Sequence, residues 1–171
     1  MFENIRILSF ILFFITLLSS CERKNISKEF LINHWEFRES GSEWFPAIVP
    51  GSVHLDLLTN NLIESPFYRA NESNIQWIEE KKWSYRSNFE VSSDIMSMDK
   101  VDLIFSGIDT YAKVYLNDSL IQSTNNFFLT YSLDVKSLLK ANNTLRFDFQ
   151  PVLQIASKIQ NEAPYNLPGG E

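Results

Sequence analysis

Hydrophobic and polar residues alternate over residues 83–91. Trp83, Tyr85, Ser87, Phe89 and Val91 fall on one side, and Ser84, Arg86, Asn88 and Glu90 on the other. A period of two marks a strand with one buried face. The stretch "TLRFDFQP" repeats the pattern, with Leu145, Phe147 and Phe149 inward and Arg146 and Asp148 outward. "VDLIF" (101–105) is a short apolar run, which predicts a buried strand. "YAKVYL" (111–116) leads through Asn117-Asp118 into "SLIQ", the signature of a hairpin, because Asn and Asp tolerate the positive φ of tight turns. "LTYSLDV" adds a further strand. Five or more short strands joined by turn residues predict an all-β antiparallel sandwich. Helix signal is thin: Ser52 caps a short helix over 53–60, with Val53 and Leu57 on one face, and a turn or two follows Pro151 around "LQIASKIQN".

The N-terminal pattern is different. Arg6 precedes the run "ILSFILFFITLL", 12 residues long, which is too short for a spanning helix of about 20 and fits an export signal. Its end, Leu18-Ser19-Ser20-Cys21, resembles the bacterial lipobox, whose cysteine is acylated and becomes the mature N-terminus. Cys21 is also the single cysteine, so it has no internal disulfide partner. The expected organisation is a lipoprotein-type signal over 1–20, a polar tether over 21–29, a sandwich domain over 30–160, and over 161–171 the Pro-, Gly- and Asn-rich start of a loop cut in mid-course. The expected location is the bacterial cell envelope, facing the periplasm or on the outer membrane, held to the membrane through the N-terminal lipid; without lipidation, the protein is secreted.

Composition narrows the chemistry. At 171 residues, 44% hydrophobic and 14% aromatic, the chain has material for one core. A net charge of −6 with no basic cluster in sequence argues against nucleic acid as a partner. His34, His54 and a cysteine assigned to the signal are too few for a zinc site, and no Gly-rich phosphate loop exists, so neither metal nor nucleotide cofactor is expected. "SGSEW" lacks the glycine that completes a nucleophile elbow. Glu79-Glu80 beside Lys81-Lys82 reads as a solvated turn before the Trp83 strand.

"PAIVPGSVHLDLL" places His54 and Asp56 two positions apart. On a helix their side chains diverge by about 200°, so they form no dyad, and His54 is expected to order the turn after Pro50-Gly51. Among the tryptophans, Trp83 is expected in the core. Trp77, in the irregular polar segment "NESNIQWIEE", is the better candidate for an interface or a sugar.

From Trp35 to Phe149 the chain closely resembles the N-terminal portion of β-mannosidases of glycoside hydrolase family 2. The resemblance rests on Val49-Pro50-Gly51, His54, Asp56-Leu57, Pro66-Phe67-Tyr68, Asn71-Glu72, Gln76-Trp77, Trp83 and Asp109-Thr110-Tyr111, in that order and spacing. It implies a galactose-binding-like jelly roll. It also implies a parent enzyme that removes terminal β-linked mannose from oligosaccharides with retention, using two glutamates of a (β/α)8 barrel encoded further on. No residue of this chain inherits a catalytic role. The resemblance makes His54, Asp56, Tyr68, Asn71 and Trp77 a candidate docking surface for the barrel or a support for the substrate pocket. Two other readings stay open: the first domain of a related β-galactosidase or β-glucuronidase, and a stand-alone carbohydrate-binding lipoprotein.

Overall fold

The structure, a computed structural model, describes residues 27–68 and 71–162. The expected signal, Cys21 and nearly all of the loop over 161–171 lie outside the described residues. The chain divides into two units, Met1–Phe30 and Leu31–Glu171, and all the elements below belong to the second.

Among the described residues eight strands form two antiparallel sheets. They are β1 (Trp35–Glu39), β2 (Phe45–Ala47), β3 (Trp83–Glu90), β4 (Asp102–Ser106), β5 (Ala112–Leu116), β6 (Ser119–Thr124), β7 (Thr130–Asp134) and β8 (Asn142–Phe149). Six of them order as β2-β1-β3-β8-β5-β6, while β4 and β7 pair with each other. The expected sandwich is present. Its hairpin between β5 and β6 turns on Asn117 and Asp118, both at positive φ (50° and 66°), as the Asn-Asp pair predicts.

Strand parity divides the large sheet into two faces. Phe37, Trp83, Tyr85, Val114, Leu145 and Phe147 point inward and form the core with Leu57 and Ile78. Their rings pack in a chain: Phe37 lies 6.0 Å from Trp83 and 5.8 Å from Tyr85, and Phe147 meets Phe105 of β4 edge-on at 5.3 Å, joining the two sheets. Burying each such ring contributes roughly 1.5–3 kcal/mol by transfer from water.

Helical segments connect the strands or follow the last of them. They are α1 (Val53–Thr59), α2 (Asn71–Asn74), a 3-10 turn (Gln76–Glu80), α3 (Ser93–Met96) and α4 (Val152–Glu162). The expected helices over 53–60 and after Pro151 are both present, the second longer than anticipated. The Ser52 hydroxyl accepts from the Leu55 N–H at 3.4 Å, which fixes the start of α1. The run "VDLIF" forms β4 but is not buried. Leu103 and Phe105 face the core, whereas Ile104 is 65% exposed, because nothing described covers the outer face of the two-stranded sheet.

Candidate functional site

The segment 46–80 carries the five residues singled out above, and its organising group is Asp56. Helix α1 turns Val53, Asp56 and Leu57 toward the sheet, since positions three and four apart share a face. Asp56 is 2% exposed. Both of its carboxylate oxygens are used: Oδ1 accepts from the Ile48 N–H at 2.9 Å and Oδ2 from the Tyr85 hydroxyl at 2.7 Å. The adjacent main chain is tied down as well, for Asn60 Nδ2 donates to the Asp56 carbonyl at 2.8 Å and to the Pro46 carbonyl at 2.9 Å. Loop 46–52, helix α1 and strand β3 thus meet at one carboxylate.

Gly51 belongs to the same arrangement. A Cβ built there would stand 2.2 Å from the Ile48 carbonyl oxygen, so the turn that brings the Ile48 N–H to Asp56 closes only with glycine at that position.

Burial, followed by the hydrogen bond to Asp56 and its negative charge, pushes the Tyr85 hydroxyl far above the usual phenol range. The group is a fixed donor at physiological pH. With its oxygens committed and solvent excluded, Asp56 is placed to hold structure and not to exchange protons with a substrate.

His54 lies on α1 but on another face, half-buried, and the structure does not bring it to Asp56 as a pair. Asn71 orders the loop before it: its Nδ2 donates to the Ser65 carbonyl at 3.0 Å and to Glu64 Oε2 at 3.3 Å. Tyr68 is exposed on that loop, next to Phe67, which is 95% exposed. Trp77 sits in the 3-10 turn, 36% exposed, with its ring 6.1 Å from that of Trp83. The turn is pinned by Trp83 Nε1, which donates to the Ile78 carbonyl at 2.9 Å. Trp77 is thus half wall and half surface.

Tyr85 is the member of this site that sequence reasoning missed, because it lies 29 residues from Asp56. A signal existed: Asp56 falls on the apolar stripe of α1 beside Val53 and Leu57, and an acidic residue there demands a buried donor. Among the described residues no group of three or more His, Cys, Asp or Glu side chains is arranged to hold a metal.

A sequence profile described as the glycosyl hydrolase 2 galactose-binding domain-like family matches residues 35–171. The chain belongs to that family. This glycosyl hydrolase 2 domain is 37% identical to the β-mannosidase of Capra hircus over 140 residues, which is 81% of the chain and 16% of that relative. It superimposes on a β-D-mannosidase from Dictyoglomus thermophilum with a TM-score of 0.79 at 37% identity, over 82% of this chain and 18% of the other. A β-glucuronidase from Bifidobacterium dentium gives 0.54 at 25% identity, over 70% of the chain and 19% of that protein. The domain therefore spans about a sixth of the length of the curated relatives it matches.

Proposed function

We propose that the chain is the non-catalytic N-terminal sandwich domain of a β-mannosidase-like retaining glycosidase, which hydrolyses terminal non-reducing β-D-mannose residues of oligosaccharides. It supports and docks on the catalytic (β/α)8 barrel of the parent protein, where the two reacting carboxylates reside. The observation that carries this reading is the pair of stretches 62–68 and 71–77. They leave Leu62, Phe67, Tyr68 and Trp77 open to solvent, while Asn71 holds the Ser65 carbonyl and Trp83 the Ile78 carbonyl. Exposed aromatics on a rigid base are what a partner surface requires. The wide margin between the mannosidase and glucuronidase superpositions favours mannose as the sugar.

In this role the domain breaks no bond. It contributes a wall whose aromatic side chains exclude water and hold their position, so that substrate orientation is set before the barrel carboxylates act. The parent protein is exported and anchored through acylated Cys21, as the lipobox resemblance suggests.

Replacing the counterpart of Trp77 by Ala in a full-length relative tests the reading. A fall in kcat/KM of about tenfold or more, or a lower melting temperature, is expected. Unchanged activity together with an unchanged melting temperature removes the segment from either role. The present chain is expected to leave a chromogenic β-mannoside intact, and reproducible turnover by residues 22–171 would refute the non-catalytic assignment. Cys21→Ser is expected to abolish lipid labelling and detergent partitioning.

A further inference from the structure

The outward side chains of the large sheet form a second arrangement that mannoside hydrolysis does not use. Arg38 of β1, Arg86 of β3 and Arg146 of β8 stand on neighbouring strands, with Arg86 directly opposite Arg146 in the ladder. Like charges facing each other across two strands oppose pairing. Here they border an open depression of about 380 Å³, whose rim also includes Lys140, Asn142 and Thr144.

Aromatic rings hold the guanidinium groups in place. The Arg38 and Arg86 guanidinium carbons lie 4.3 and 4.1 Å from the centroid of Trp44, and that of Arg146 lies 4.5 Å from the centroid of Tyr115. Such contacts fix long side chains in advance and reduce the ordering entropy a ligand must supply.

Their donors are far from spent. Arg86 gives its Nε to Glu36 at 2.7 Å, and Arg146 is paired with Asp148 at 3.1 Å and with the exposed Asp118 at 3.3 Å. Arg38 gives one Nη to the Ser42 carbonyl at 3.3 Å but, like Lys140, forms no ion pair among the described residues, and its Nε is buried without an acceptor. A guanidinium carries five N–H donors, and a buried one left unpaired is costly. Among its lining residues the depression sets Arg38, Arg86, Arg146 and Lys140 against the single acid Asp118, a local excess of positive charge in a chain whose net charge is −6.

We propose that this depression binds a saccharide bearing a carboxylate or sulfate group. The arginines grip the anion with charge-assisted hydrogen bonds, and Lys140, Asn142 and Thr144 take the ring hydroxyls. The volume exceeds what a bare tetrahedral anion fills and lies within the range of small-molecule sites. The assignment stands apart from the mannosidase reading, since it uses the opposite face of the sheet.

The test titrates the intact chain with β-1,4-linked trimannuronate, with neutral mannotriose, and with inorganic sulfate, following the Arg Nε–H resonances by NMR. Trimannuronate is expected to bind, to shift the Arg38, Arg86 and Arg146 signals, and to weaken as salt rises. Mannotriose and sulfate are expected to bind at least about tenfold more weakly, for want of the anion or of the hydroxyl contacts. Arg146→Gln and Arg38→Gln should each lower trimannuronate affinity by about tenfold while leaving the amide spectrum of the core in place. Equal binding of mannotriose, equal binding of sulfate, binding that survives both substitutions, or no binding of trimannuronate would each overturn the proposal.

Discussion

The inner and outer faces of the six-stranded sheet are built from the same strands, one residue out of step, yet they solve different problems. Inward, Phe37, Tyr85 and Phe147 remove aromatic surface from water, and the one acid that joins them, Asp56, arrives with both oxygens matched to donors. Outward, Arg38, Arg86 and Arg146 stay half-exposed, Arg86 opposite Arg146, and are steadied by Trp44 and Tyr115. The inner face spends its polar contacts on the fold, whereas the outer face keeps donors in reserve. Stability should therefore be concentrated inside and recognition outside.

Substitutions that breach the inner face should cost most. Phe37→Ala opens a cavity at the centre of the ring cluster, and a loss of about 3–5 kcal/mol is expected in urea denaturation. Asp56→Ala strands the Ile48 N–H and the Tyr85 hydroxyl together. The expected cost is about 2–4 kcal/mol, with early amide exchange at Ile48 as its local signature.

Tyr85→Phe leaves one oxygen of Asp56 without its donor and should cost about 1–3 kcal/mol at neutral pH. It also carries a pH signature. The folded chain keeps the hydroxyl protonated far above the value of about 10 at which the unfolded chain loses it. Ionisation thus favours unfolding, so this contribution is complete below about pH 10 and declines above it by up to about 1.4 kcal/mol per pH unit. Urea midpoints measured from pH 8 to 11 should show the decline in the parent chain and a shallower one in Tyr85→Phe. Parallel curves would remove Tyr85 from the account.

The outer face should respond least. Arg146→Thr forfeits a contact with Tyr115 worth about 0.5–1 kcal/mol and a partly exposed ion pair, but it relieves the opposition to Arg86. The net change in unfolding free energy is expected within about 0.5 kcal/mol of zero. A loss above about 2 kcal/mol would mean that the two faces are not energetically divided as described.

Alternation made β3, the β5–β6 hairpin, β7 and β8 legible in the sequence, because each has one dry face and one wet face. Helix α1 was legible from Ser52 and the Val53–Leu57 spacing. Strand β1 alternates over only five residues and β2 has three, one of them proline, too little for a period to emerge. The run at β4 carries no alternation, so the exposure of Ile104 could not be read from it. Trp77 looked irregular because a 3-10 turn of five residues has no apolar stripe. Of the candidate site, the divergence of His54 from Asp56 followed from helix geometry alone. The Asp56–Tyr85 bond and the arginine face did not, since both depend on strand neighbours that only tertiary pairing brings together.

Strand order has a consequence for synthesis. β3 is complete at Glu90, but its ladder partner β8 begins only at Asn142. At roughly 5–20 residues per second, a growing chain leaves that margin of β3 unsatisfied for about 3–10 s. During that interval the nascent protein presents a bare row of amide and carbonyl groups beside a cluster of rings, the state in which a chaperone or a neighbouring ribosome's product can capture it.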